Sequence, residues 1–568
     1  MVTSSTASTS GRASARRLLR PLLPGPGPAA LLALAVTAAT ALPLAAPQLT
    51  RRFVDDAAAG AGAGRLTLIA LGYLGLAVAG QAARLVTAWL AGKVAWEGTD
   101  RLRERLAEHV LGLDAAFHGG HTPGELIERV DGDVAAVAGF VVAFLLDVVV
   151  GVLLLCGVVV TVFTVDPDLG AVLLAFCMLT GLGTVRAQRL AVPSATRAQA
   201  ARAALLGHLE ERLAGAEDLR ANGAGEHALR RFHQLSAALW RAERRSDAVG
   251  SGILAGTGAA FAAGTALMLA LSGTLSTGTA VLLLQYTLMV RTPFERLIDQ
   301  LRRYQTAVAG LARIGGLLAE RPALRVPAAP RPLPAAGPLG LELDAVGFAY
   351  DGEPVLRDVT LRLAPGETLG LVGRTGGGKT TVARLVARLY DPAAGAVRVG
   401  GVDLREADPA SVRARVCMVT QDVHLFTASV RDNLTLFRSH PGDDRLRAAL
   451  AEAGLPGWDL DAPLGAVSAG QAQLLAFARA LLADPGLVIL DEPSSRLDPA
   501  AERGLQRAMT RLLTGRTGVV IAHRLASLSH VDKIAVVSDG EIAEYGARRD
   551  LLADSGSRFS RMLAEARR

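Results

Sequence analysis

The chain has 568 residues, 51% hydrophobic and 20% charged, with 60 Lys plus Arg against 53 Asp plus Glu and a mean hydropathy of +0.33. That composition excludes a disordered chain, and it supplies too little charge to coat an all-soluble enzyme. The 61 Gly and 26 Pro follow no G-X-Y period, and Cys156, Cys177 and Cys417 form neither a disulfide framework nor a metal-ligand spacing.

The net charge of +7 is unevenly placed. Residues 1–338 carry 32 basic and 24 acidic side chains, whereas residues 339–568 carry 28 and 29. Basic residues between apolar stretches read as the flanks of membrane helices, not as the basic stripe of a nucleic-acid binder. Residues 1–28 form a short tail with Arg12, Arg16, Arg17 and Arg20. Six apolar stretches then follow at 29–49, 66–91, 139–165, 168–185, 249–273 and 277–299. At 1.5 Å per residue each approaches the ~30 Å needed to cross a bilayer. Turns at Thr50–Arg65, Asp166–Asp168 and Gly273–Ser276 join them in pairs, and these turns carry three, no and no basic residues. The stretches Lys93–Asp133 and Arg186–Arg245 carry five and eleven. The positive-inside bias therefore predicts that the tail, both long loops and the C-terminal part are cytoplasmic.

The long loops at 92–138 and 186–248 are polar but helical in pattern, as in Leu205, Leu209, Leu213, Leu229 and Phe232. They predict helices continuing past the bilayer, with turns near Ala115–Gly124 and Leu219–Gly225. Asp147 lies within the third apolar stretch. An ionisable group there is costly unless it faces protein or water, so Asp147 is a candidate functional residue; the alternative is an Asp that bonds a neighbouring helix.

Residues 320–340 are rich in Pro and Ala, predict an extended linker, and separate a membrane domain at 29–319 from a second domain at 341–568. In the latter, the short apolar strand Leu369–Val372 runs into Gly373-Arg374-Thr375-Gly376-Gly377-Gly378-Lys379-Thr380 and then a helix from Thr381. This is the P-loop pattern: glycines let main-chain amides enclose phosphate oxygens at a helix N-terminus. Lys379 supplies a compact charge to the β- and γ-phosphates, and Thr380 a hydroxyl for Mg²⁺. Only three of the 60 basic residues are Lys, so retention of Lys379 is informative. A second apolar strand, Leu487–Leu490, ends in Asp491 and Glu492. Asp491 is placed to hold Mg²⁺ and Glu492 to act as general base. Between them, Val467-Ser468-Ala469-Gly470-Gln471 opens another helix and offers a second anion site.

That second site resembles the L-S-G-G-Q signature of ABC transporters, in which one ATP-binding domain closes its signature on the γ-phosphate held by its partner. The resemblance is collinear elsewhere. Tyr350 stands where the family stacks adenine. Gln421 stands where it senses Mg²⁺ and the attacking water, Asp498 where a loop crosses the dimer interface, and His523 where a switch histidine contacts the γ-phosphate. Six spans, two long hairpins and a C-terminal ATPase resemble the exporter-type half-transporters, and His118–Asp133 resembles their first intracellular loop. This chain departs from the pattern at Val467 and Ala469, and at Ala472 and Leu474 after the signature Gln.

The implied architecture is an α-helical transmembrane bundle of six spans plus an α/β P-loop NTPase domain of ABC type. The implied cofactors are ATP and Mg²⁺, and the implied partners are a second half-transporter, the lipid bilayer and a small-molecule, lipid or peptide substrate, with no nucleic acid. The expected location is a bacterial cell membrane, multi-pass, with both the N-terminus and the ATPase in the cytoplasm. Export of a lipophilic, peptide or drug-like compound is the leading reading. Siderophore import and an ATP-operated regulatory switch are the alternatives; intact Glu492 weighs against the switch.

Overall fold

Runs of apolar residues that exceed 20 in length cannot fold as strands of a soluble sheet, and here they become long helices. The computed structural model describes residues 25–438, 442–492, 499–522 and 528–566. Contacts divide it into two bodies, one running to Leu111 and resuming over Thr122–Glu320, the other made of Gly112–His121 and Arg321–Arg568.

The first body is built from α1 (Pro26–Ala58), α2 (Ala63–Leu111), α3 (Pro123–Val165), α4 (Pro167–Ala214), α5 (Gly225–Leu271) and α6 (Thr277–Ala319). The first five are long and apolar enough to span a membrane. The sixth expected span falls on α6, which is helical throughout but does not reach that standard among the described residues. Gln285, Tyr286 and Arg291 dilute its apolar run. The first turn is also shorter than expected. Its polar residues Arg51 and Asp55 pair at i,i+4 across 3.8 Å, and α1 continues through them to Ala58. Asp166 caps α4, its carboxylate accepting from the amides of Asp168 and Leu169 at 2.9 and 3.1 Å.

The exposed faces of these helices reverse the usual soluble surface. Leu68, Leu85 and Leu179 are each more than 70% exposed, while Tyr286 is fully buried and donates its hydroxyl to the Leu44 carbonyl at 2.7 Å. Close helix approach relies on small residues: a Cβ on Gly264 would lie 2.6 Å from the Phe176 ring. Two π-helical turns interrupt α3, at Glu128–Gly132 and Phe144–Val149. Such turns shift the register of side chains, and the second one carries Asp147. Below the apolar part, Asp133 is 2% exposed and is gripped by both Nε and Nη2 of Arg313, the former at 2.8 Å.

The second body holds two sheets. One is antiparallel, ordered β2-β1-β4-β5, from β1 (Leu341–Tyr350), β2 (Glu353–Leu363), β4 (Ala394–Val399) and β5 (Val402–Asp403). The other is ordered β10-β9-β3-β8-β7-β6, from β3 (Thr368–Val372), β6 (Val416–Val419), β7 (Leu487–Asp491), β8 (Thr517–Ile521), β9 (Lys533–Ser538) and β10 (Glu541–Ala547). All its pairings are parallel except β10 on β9. Strands β3, β7 and β8 are buried at every residue, as a central parallel sheet covered on both faces requires. Because these strands are parallel, their carboxyl ends lie at one edge of the sheet, the edge where such sheets bind ligands.

Candidate ATP-binding and hydrolysis site

The loop after β3 has no choice but glycine at its first position. Gly373 has φ +144, and a Cβ there would lie 2.0 Å from the Val537 carbonyl oxygen on β9. Gly376 and Gly378 also have positive φ, and Gly378 directly precedes α7 (Lys379–Val386). Arg374, Thr375 and Gly376 are exposed, whereas Lys379 and Thr381 are each 6% exposed. The Lys379 ammonium donates to the carbonyls of Gly373 and Arg374 at 2.9 and 3.0 Å, so the loop is wrapped around its own lysine. Burial pushes the Lys379 pKa down, and the nearby Glu492 and Asp491 charges oppose that.

At the end of β7, Asp491 is 5% exposed and accepts from the Thr380 hydroxyl at 3.3 Å. Burial pushes its pKa up; the Thr380 hydrogen bond works against this, and the adjacent Glu492 charge works with it. A hydroxyl and a carboxylate side by side, both hard oxygen donors, suit Mg²⁺. Glu492 follows in the left-handed region at φ +47, with its amide on the Ile521 carbonyl at 3.1 Å. That conformation is strained for Glu and turns it out of the strand line.

Tyr350 packs edge-on against Phe348 and Tyr390, with centroids at 4.7 and 5.3 Å, and accepts from Arg384 at 3.2 Å. The ring is thus held in place by its neighbours. Ser468 caps α8 (Ala469–Ala483) in a reciprocal box: the Gln471 amide donates to Ser468 Oγ at 3.2 Å, and the Ser468 amide donates to Gln471 Oε1 at 3.0 Å. The helix therefore starts at Ala469, within the signature segment. Ser468, Ala469 and Gln471 are exposed and Gly470 is buried.

Gln421 is exposed, and its carbonyl accepts from Gln473 Nε2 at 2.8 Å. Gln473 was not expected to matter. It is a 6% exposed amide on α8 that also reaches the Thr420 carbonyl at 3.4 Å, so it ties the Gln421 loop to the signature helix. The only signal for it was a polar residue in an otherwise apolar helical run. Asp498 and His523 lie outside the described residues. Asp147 accepts from Arg296 Nη1 at 3.0 Å and from Gln300 Nε2 at 2.8 Å, both on α6.

The segment Gly112–His121 belongs to the same body as this site. Asp114 caps the short helix Ala115–Gly119 and accepts from the amides of Ala323 and Leu324, the latter at 3.2 Å, and Tyr390 donates to the Ala115 carbonyl at 3.4 Å. One hairpin tip therefore packs on the ring cluster that contains Tyr350.

Comparisons with known proteins agree with this layout. The family model for ABC transporters matches residues 356–495, and the model for the ABC transporter transmembrane region matches residues 30–294. A multidrug efflux ATP-binding/permease protein of Mycobacterium bovis is 33% identical over 97% of this chain, and the chain spans 47% of that relative's length. An ATP-dependent lipid A-core flippase of Syntrophus aciditrophicus is 30% identical over 81% of this chain and 79% of its own. The fold is that of a bacterial Atm1-family ABC exporter solved with ATP bound, with a TM-score of 0.80 at 23% identity over 95% of this chain and 98% of that one. The chain belongs to the ABC transporter family, with the exporter-type half-transporter layout of a transmembrane region fused to an ATP-binding domain.

Proposed function

We propose that the chain is one half of a dimeric exporter that uses ATP hydrolysis to move a lipophilic, peptide or drug-like compound out of a bacterial cytoplasm. The observation that carries this reading is the cluster of Lys379, Thr380, Asp491 and Glu492 beyond the carboxyl ends of β3 and β7, which flank β8, on a chain that also bears membrane-spanning helices. The efflux and flippase relatives support the direction. The exposed Leu206, Leu213, Leu229 and Trp240 on the second hairpin support a further subunit.

In this reading Gly373–Thr381 enclose the phosphates, and Tyr350 offers its fixed ring to adenine. Lys379 exchanges the carbonyls of Gly373 and Arg374 for phosphate oxygens. Thr380, Asp491 and Gln421 would hold Mg²⁺, which supplies neutralisation of charge developing on the phosphates. Glu492 accepts a proton from water as that water's oxygen bonds the γ-phosphorus and the bond to the β-phosphate oxygen breaks. The family resemblance assigns His523 the contact to the γ-phosphate. Ser468, Ala469, Gly470 and Gln471 close on the nucleotide held by the partner, and the same resemblance assigns Asp498 to the loop at the interface. The hairpin tips carry closing and opening to the spans. The tail, hairpins and ATP-binding domain are cytoplasmic.

The test is Glu492→Gln in the assembled transporter. ATP hydrolysis falls about 100-fold or more while ATP binding persists. Hydrolysis that survives the substitution, with the identity of the partner subunit controlled, removes Glu492 as the base.

A further inference from the structure

The first body carries three adjoining cavities that open to its surface. One of about 420 Å³ is lined by Arg84 of α2, Asp147 of α3, Arg296 of α6 and apolar residues including Leu146 and Met289. A second, of about 540 Å³, shares Asp147 and Arg296 and adds Trp96 and Arg303. A third, of about 340 Å³, shares Arg84 and Met289; the rest of its wall includes Pro43, Leu76 and Leu288. The chain's geometry brings the three charges to one level. Arg84, Asp147 and Arg296 each stand about 20 residues, or roughly 30 Å, from the short-turn end of their helices.

The charges do not balance. Asp147 is matched by Arg296 at 3.0 Å and by the Gln300 amide. Arg84 and Arg303 have no hydrogen-bond or ion-pair partner among the described residues, and Asp147 is the single acid in the three walls. Arg84, Arg296 and Arg303 are exposed to these cavities, and a cation at membrane depth is costly unless water or an anion meets it. The cavity beyond Arg84 is lined mainly by apolar side chains.

Resting on the exporter reading above, we infer that the transported compound is an amphipathic anion. Its carboxylate or phosphate head sits between Arg84 and Arg296, and its hydrocarbon part lies in the cavity walled by Pro43, Leu76 and Leu288. Asp147 holds Arg296 when the head is absent and yields it when the head arrives. Cationic compounds are disfavoured by the same field.

The test measures equilibrium binding to the assembled transporter in phosphatidylcholine nanodiscs without nucleotide, with empty discs subtracted. The probes are dansylaminoundecanoic acid, its methyl ester and a trimethylammonium analogue of equal chain length. The acid binds about tenfold more tightly than either analogue. Arg84→Gln removes that advantage and leaves ester binding unchanged, which also reports that the bundle has folded; Arg84→Lys retains most of it. Asp147→Asn frees Arg296 and tightens acid binding about threefold, the scale of one partly exposed ion pair. Excess inorganic phosphate that displaces the acid assigns the site to the head alone, and failure to displace it assigns the site to head and tail together; either supports an anion site. Equal binding of acid and ester, preference for the cation, or an Arg84→Gln variant that binds the acid normally overturns the inference. ATP hydrolysis measured on the same samples separates the two readings: intact hydrolysis with no anion preference removes only this inference, whereas absent hydrolysis removes the exporter reading.

Discussion

Replacing Gln473 with Leu takes away the amide that fastens the Gln421 loop to the signature helix, while keeping a buried side chain of similar size. One bond of 2.8 Å to the Gln421 carbonyl is lost, along with a weaker contact of 3.4 Å to Thr420. A typical bond of this kind contributes about 1 kcal/mol. Gln421 is exposed, so its freed carbonyl is met by water. Gln473 Oε1, by contrast, is buried with no partner among the described residues, and its removal relieves a desolvation cost of about 1–3 kcal/mol. The two effects nearly cancel in folding free energy, and the melting temperature should stay within about 3 °C of the parent. They do not cancel in the site, because only the lost tether affects where the Gln421 loop stands. A positional loss of about 1 kcal/mol in the transition state corresponds to a fivefold fall in kcat with KM for ATP little changed. Steady-state ATPase assays together with thermal unfolding of the same preparation provide the check. An unchanged kcat, or a fall in kcat that only tracks loss of folded protein, refutes the tether.

Two other substitutions follow from the geometry. Lys379→Arg puts a planar guanidinium in a loop closed around a compact ammonium, which is 6% exposed and held by two carbonyls. ATP affinity, measured by equilibrium binding, falls about tenfold or more, and affinity near that of the parent would show that the loop accepts either cation. Arg313→Gln leaves the Asp133 carboxylate buried without its cation. Asp133 is buried but Arg313 is half exposed, so breaking the pair costs about 1–3 kcal/mol, the variant melts below the parent, and adding Asp133→Asn recovers part of the loss. A double variant no better than the single one would show that Arg313 acts through packing alone.

The membrane part and the phosphate loop were legible in the sequence for different reasons. Long apolar runs report helices directly, because a bilayer allows few other structures. Their ends were less legible: Arg51 and Asp55 look like turn residues by polarity, yet paired one turn apart they extend α1 to Ala58. The dilution of α6 by Gln285 and Arg291 is visible in composition, and the expected sixth span lies on this helix. Gly373–Thr380 and the strand ending at Asp491 could be read because their chemistry is contiguous in sequence. The partners of Asp147 could not, since Arg296 lies 149 residues away and only the packing of α3 on α6 brings it within 3.0 Å. The π-helical turn at Phe144–Val149 carries no sequence mark that periodicity detects. Gln473 was hidden for a similar reason, as its acceptors stand 52 and 53 residues upstream.

Asp114 and Ala323, joined through a carboxylate and an amide, are 209 residues apart in the chain. The nucleotide-binding body is thus a unit in space but not a unit of the gene. A fragment expressed from Arg321 onward would leave the Ala323 and Leu324 amides and the Tyr390 hydroxyl without the groups they bond in the intact chain. Recombination that exchanges the C-terminal segment between relatives inherits a socket without its plug. Functional chimeras therefore need Gly112–His121 to travel with the ATP-binding segment, and this short stretch of the membrane domain's sequence is expected to vary in step with the surface around Tyr390.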